Sequence, residues 1–202
     1  MASVYDLKPR FQQLLRPLLH RLAAVGITPN QITVAALILS FSVGGAIAWH
    51  PDARWPLLLL PAALLARMAL NALDGMMARE FDLQSHVGAF LNELGDVLSD
   101  SALYLPLATL SGFEPTLVVA VVLLAALSEM AGVVGVQVGA TRRYDGPMGK
   151  SDRALVFGAL GLLLGLGVEA GAWVHALLGV VAALLLVTIA RRARRAVAEA
   201  TT

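Results

Sequence analysis

Long apolar runs alternate with short polar connections along this chain. Six runs stand out, at about Gln31–Trp49, Trp55–Met77, Val87–Leu107, Pro115–Gly139, Ala154–Ala170 and Val174–Ala190. A helix needs about 20 mostly apolar residues to cross the hydrocarbon core of a bilayer. The breaks fall at Pro29, Pro51, Pro56, Gly112, Pro115 and Gly171, and in the stretch from Gly146 to Gly149, residue types that punctuate helices. The segment before the first run has a different pattern. Val4, Leu7, Phe11, Leu14, Leu15, Leu18 and Leu22 recur at helical spacing, with Lys8, Arg10, Arg16 and Arg21 among them. An apolar stripe flanked by basic residues predicts an amphipathic helix lying on an anionic membrane surface. Packing of that helix against the bundle is the alternative. Pro9 and Pro17 are expected to bend or break it. No uninterrupted apolar segment stands at the start, so no cleavable signal peptide is expected.

Composition strengthens the membrane reading. Apolar residues make up 58% of the 202 positions and charged ones 14%, and mean hydropathy is +0.75. A soluble domain carries about 45–50% apolar and about 25% charged residues. There is no Cys, which excludes disulfides and thiolate chemistry. The net charge of +1 hides an asymmetry. With six spans, all of the 15 Lys and Arg except Arg54 and Arg67 fall on one side, and Lys and Arg mark the cytoplasmic side. The expectation is an all-α membrane protein of six transmembrane helices, with both termini cytoplasmic. Residues 1–26 form the amphipathic juxtamembrane helix, 27–192 the six-helix domain and 193–202 a basic cytoplasmic tail. The Arg191–Arg195 cluster reads as an anchor to the membrane surface.

Candidate chemistry gathers between Asn71 and Asp100. Asn71, Asp74 and Ala78 share one helix face, and Gly75 admits a close neighbour. Gly88, Asn92, Asp96 and Asp100 step by four, a stripe that drifts by about 40° per step. A short polar loop joins the two helices, so the stripes can face each other near the cytoplasmic surface. Ionisable groups within a membrane span point to function. Carboxylates and amide oxygens on facing helices suit a hard divalent cation. Arg79, Lys150 and Arg153 reach the same side and are candidates for binding phosphate, although the positive-inside rule alone also accounts for the last two. Arg67 precedes Asn71 by one helical turn and lies about 10 Å below Asp74. An unpaired arginine there is costly, so a carboxylate partner is expected, either Asp100 or Glu129. For Asp100 this pairing competes with a metal role.

The segment NALDGMMAR, eight residues, then GAFLNELGD resembles the signature of the CDP-alcohol phosphatidyltransferases, DxxDGxxAR, eight residues, then GxxxDxxxD. Gly75, Ala78, Arg79, Gly88, Asp74 and Asp96 match it. The ITPNQIT stretch, Ile27–Thr33, also resembles family members. The first and third acidic positions are Asn71 and Asn92, which keep an oxygen and lose a charge. The resemblance implies a membrane transferase that moves a substituted phosphate from a CDP-linked lipid, such as CDP-diacylglycerol, to a small alcohol, releasing CMP in phospholipid synthesis. It implies Asp96 and Asp74 as catalytic residues, with Asp96 the base, and Asn71, Asp74, Asn92, Asp96 and Asp100 as the ligands of one or two Mg2+ or Mn2+ ions. Gly75, Ala78, Arg79 and Gly88, with Lys150 and Arg153, would bind substrate. A homodimer in the bacterial cytoplasmic membrane is expected, its active site facing the cytoplasm and no nucleic acid involved. The two Asn also allow a member that binds CDP-lipid without turnover. A transporter using Arg67, Asp96, Asp100 and Glu129 as a relay is the third reading.

Overall fold

A computed structural model describes the backbone of residues 4–201 and the side chains of residues 11–201. The side chains of Val4, Leu7, Lys8 and Arg10 lie outside that description. Among the described residues seven α-helices follow in order: α1 Val4–Ala24, α2 Pro29–Trp49, α3 Trp55–Glu80, α4 His86–Tyr104, α5 Pro115–Gln137, α6 Lys150–Gly165 and α7 Ala172–Ala200. A 3-10 turn, Leu105–Thr109, extends α4. There is no strand among the described residues. By length and apolar composition, α2, α3, α5 and α7 are able to cross a membrane.

Local signals set the helix starts. Thr28 caps α2: its hydroxyl accepts from the Gln31 backbone N–H, and the Gln31 side chain accepts from the Thr28 N–H. Such a reciprocal pair satisfies two backbone donors that the first turn leaves open, and Pro29 suits the first helical position. Ser85 caps α4 by accepting from the Gly88 N–H at 3.0 Å. Two features add to the sequence expectations. The helix α1 runs unbroken through Pro9 and Pro17. The last helix continues past Ala190 to Ala200, because the Ala- and Arg-rich stretch there favours helix.

The core is built from pairs of helices, with α2 on α3 and α4, α3 on α6, and α5 on α7. Leu60, Leu64, Leu103, Tyr104, Phe157 and Leu185 are among its buried members, and Tyr104 stacks on Phe157 with ring centroids 4.0 Å apart. The helix α1 packs Leu15 and Leu19 against Leu73, Met76 and Met77 of α3, while Leu14 and Leu18 face outward. Ile38, Leu65, Leu123, Met130 and Leu155 are exposed on the outer faces of the bundle, the arrangement a lipid solvent favours. Small residues allow close helix approach in such bundles. At Gly44 an added Cβ would meet the backbone carbonyl of Ala102 on α4. Since backbone cannot swing away, Gly44→Val is expected to cost about 1–3 kcal/mol by overpacking, read as a lowered unfolding temperature in detergent.

Candidate functional site

The motif residues meet where the C-terminal half of α3 faces α4. Asp74 is 5% exposed, and its Oδ2 accepts from the Thr33 hydroxyl of α2 at 2.8 Å. Asn71 donates from Nδ2 to Asp96 Oδ1 at 2.8 Å, which ties α3 to α4. An Asp at position 71 would set two carboxylates against each other there; an Asn makes a hydrogen bond instead. Asp96 Oδ2 accepts from the Lys150 ammonium at 2.6 Å, and Arg67 adds a longer contact to Oδ1 at 3.4 Å. Asn92 is half-buried one turn before Asp96. A Cβ at Gly88 would meet Asn30 Oδ1 at 2.8 Å, and one at Gly75 would meet the Arg79 guanidinium at 3.3 Å. Ala78 is half-buried, and Arg79 is exposed at the end of α3.

Below this layer lies a buried ionic network. The expected partner of Arg67 is found: its Nη1 donates to Asp100 Oδ1 at 2.5 Å. The other oxygen of Asp100 accepts from Arg153 at 2.8 Å. Both oxygens of Asp100 are therefore held by guanidinium groups. Arg153, expected to bind substrate, is 1% exposed and also donates to Glu129 at 3.0 Å. Glu129 gathers two more arginines, Arg142 at 3.0 Å and Arg192 at 3.3 Å. Buried charges need such partners, because unpaired they cost several kcal/mol, about 3–5 when one partner is lost.

The network shows where sequence reading fell short. Arg192 was expected on the membrane surface with its neighbours, yet it is 1% exposed and donates to the backbone carbonyls of Asp145 and Ser128. Arg142 forks onto Glu93 with bonds of 2.9 and 2.8 Å. The connection between α5 and α6 thus folds back over α5. Gly132 admits it, since a Cβ there would lie 2.5 Å from the Arg143 carbonyl oxygen. The far end of α7 holds the same connection. Arg143 pairs with Glu199, and Arg195 with Asp145. Thr33 lies in the Ile27–Thr33 stretch singled out above, but its bond to Asp74 crosses between helices and no local signal marks it.

The connection carries a pH signature. Burial alone would raise the Asp145 carboxyl, but hydrogen bonds from Arg143 and Arg195 outweigh it and hold the carboxyl below its ordinary value. A depressed carboxyl stabilises the docked loop above the ordinary Asp range and loses that effect as pH falls through the folded value. Acidification below about pH 4 is expected to speed proteolytic cleavage between Thr141 and Gly149. Unchanged cleavage there would contradict the tie.

The donor set can be tested against a divalent ion. Hard dications take oxygen ligands. Asp74 and Asp96 supply two carboxylates, and Asn71 and Asn92 supply neutral amide oxygens. No group of three or more His, Cys, Asp or Glu side chains that could hold a metal occurs among the described residues. Two carboxylates balance one dication, and Lys150 already places a positive charge on Asp96. By charge and ligand type these four side chains suit a hard dication.

Comparison with known proteins bears on the family and the fold. Residues 26–188 match the model of the CDP-alcohol phosphatidyltransferase family. "Inner membrane protein YnbA" of Escherichia coli is 44% identical over 194 residues, covering 95% of both chains. A phosphatidylinositol phosphate synthase of Mycolicibacterium smegmatis is 29% identical over 80% of this chain and 73% of its own. The crystal structure of the Mycobacterium tuberculosis phosphatidylinositol phosphate synthase with CDP-DAG bound superposes with a TM-score of 0.72 at 19% identity, covering 94% of each chain. The same synthase in complex with manganese and citrate gives 0.70 at 19% identity, over 89% of this chain and 87% of that one. These likenesses extend over the helices that carry Asn71–Asp96, and the chain belongs to the CDP-alcohol phosphatidyltransferase family.

Proposed function

We propose that this chain transfers a phosphatidyl group from a CDP-linked lipid to an alcohol through the Asn71–Asp96 site. The observation that carries the reading is the meeting of Asp74 on α3 with Asp96 on α4 around the family motif, linked by the Asn71–Asp96 hydrogen bond. CDP-diacylglycerol is the proposed donor, since a solved neighbour holds that lipid. Arg79, exposed and without an ion pair among the described residues, is available to the donor's diphosphate. Gly75, Ala78 and Gly88 leave room for the nucleotide beside it. Asp96 accepts the proton of the acceptor hydroxyl. The hydroxyl oxygen bonds to the lipid-side phosphorus, the bond from that phosphorus to the CMP oxygen breaks, and CMP leaves. General-base catalysis of this kind contributes about 100- to 10,000-fold. Lys150, now on Asp96 Oδ2, gives up that place when the acceptor hydroxyl arrives. Asp74 and Asp96, with the amide oxygens of Asn71 and Asn92, would hold Mg2+ or Mn2+. When bound, the ion supplies positive charge against the donor's diphosphate. Asp100 and Arg153, expected at the ligand and substrate positions, are assigned instead to holding the helices together.

The rest of the molecule fits a six-span protein of the bacterial cytoplasmic membrane, with α4 and α6 completing the spans and both termini and the site on the cytoplasmic side. In this reading α1 lies along the surface, with Leu14 and Leu18 toward lipid, and two copies associate in the membrane. One observation favours a second reading. Asp96 is engaged by Lys150, Asn71 and Arg67 together, which suits a member that binds CDP-lipid without turning it over. Purified protein given CDP-diacylglycerol and alcohols is expected to release CMP only when Mg2+ or Mn2+ is present, with chelator stopping release. Release that ignores chelator would contradict the metal assignment. CDP-lipid binding without release would favour the second reading.

A further inference from the structure

We infer that the acceptor alcohol carries no phosphate, and that Glu93 and Glu129 are the residues that exclude one. The inference rests on the transferase reading above. A phosphorylated acceptor needs cations free to receive it, and the basic side chains at this end look at first like such a set. A cavity of about 290 Å3 opens beside the site, lined by Arg142, Arg143, Tyr144, Asp145 and Gly146. Yet each of its guanidinium groups is already spoken for. Arg142 forks onto Glu93 and also donates to Glu129. Arg143 is held by Asp145 and Glu199. Arg153 and Arg192 turn inward to Glu129, and Lys150 caps Asp96.

Every cation at this end has an acidic partner: Arg67, Arg142, Lys150, Arg153 and Arg192 face Glu93, Asp96, Asp100 and Glu129. A phosphate entering here has to compete with a carboxylate for its guanidinium, and at Glu129, whose side chain is 9% exposed, it would leave a buried carboxylate short of a partner, which is strongly unfavourable. Rejection by an unpaired charge is an effective way to discriminate between ligands. A neutral polyol asks only for hydrogen bonds, which the carboxylates and the Tyr144 hydroxyl are able to supply. Glu93 is the more adjustable of the two acids, with its side chain 33% exposed against 9% for Glu129.

Two arms test this on the full-length protein in detergent. The first measures binding of inorganic phosphate and glycerol 3-phosphate by calorimetry to wild type, Glu93→Gln and Glu129→Gln. Wild type is expected to show no saturation in the millimolar range, and the variants to bind at least about tenfold more tightly. Glu93→Gln keeps this arm decisive if Glu129→Gln fails to fold. The second arm compares glycerol with glycerol 3-phosphate as acceptors for CMP release, and wild type is expected to favour glycerol by at least about tenfold. Sub-millimolar binding of glycerol 3-phosphate by wild type, its preferential use as acceptor, or no gain in the Glu93→Gln variant would each overturn the inference. Absence of CMP release with every acceptor counts against the transferase reading instead, and the binding arm still decides the phosphate question.

Discussion

Asp96→Asn is expected to lower acceptor-dependent CMP release by at least about 100-fold, the contribution of a positioned general base. The change keeps the size of the side chain and its ability to bond Asn71, and removes the oxygen charge that takes the proton. The variant should therefore still fold and still bind CDP-diacylglycerol, with the loss falling on turnover. Release within a few-fold of wild type would remove Asp96 from the base role. Glu93, one turn of backbone away and held by Arg142, would then be the next acid to examine. The prediction also bears on Asn71. Because Asn71 donates to Asp96, Asn71→Asp places a second carboxylate on the same oxygen and should make the protein depend more strongly on added divalent ion.

The second large effect is on stability. Asp100→Asn leaves Arg67 and Arg153, with side chains 3% and 1% exposed, without their shared counter-ion. Breaking a buried pair costs about 3–5 kcal/mol. The low end of that range is expected, since Arg67 keeps its contact with Asp96 and Arg153 keeps Glu129. The comparison is Glu80→Gln, which breaks the exposed pair with Arg16 and should cost under about 1 kcal/mol. Unfolding in detergent measured on both variants checks the contrast. Equal effects would mean that the inner network does not carry the stability argued for it.

The amino-acid sequence made the frame of the molecule legible because its signals are local. Apolar runs and the breaks at Pro29, Pro56 and Pro115 mark helix starts that the structure repeats. Arg67 announced a partner because a lone cation on an apolar helix is conspicuous, and Asp100 lies at the matching depth. Arg153 and Arg192 were harder. A cationic residue just outside an apolar run reads the same whether it obeys the positive-inside rule or turns inward to an acid far away in sequence. Glu129, which holds both, lies 24 residues from Arg153 and on a different helix from either, and nothing local records that they meet. Gly132 was unmarked for the same reason: its role depends on the loop that crosses it. No break occurs at Pro17: α1 continues through a residue that local reasoning treats as a possible breaker, with Leu15 and Leu19 anchored on α3.

The most direct test of the central claim follows the phosphorus itself. CDP-diacylglycerol labelled at its lipid-side phosphate would be incubated with the purified protein, Mg2+ or Mn2+ and a neutral alcohol. Transfer through the Asn71–Asp96 site predicts label in a new phospholipid that contains the alcohol, with unlabelled CMP formed in equal amount. Label that stays in CDP-diacylglycerol with every alcohol and both metals, from protein shown to be folded, would contradict it.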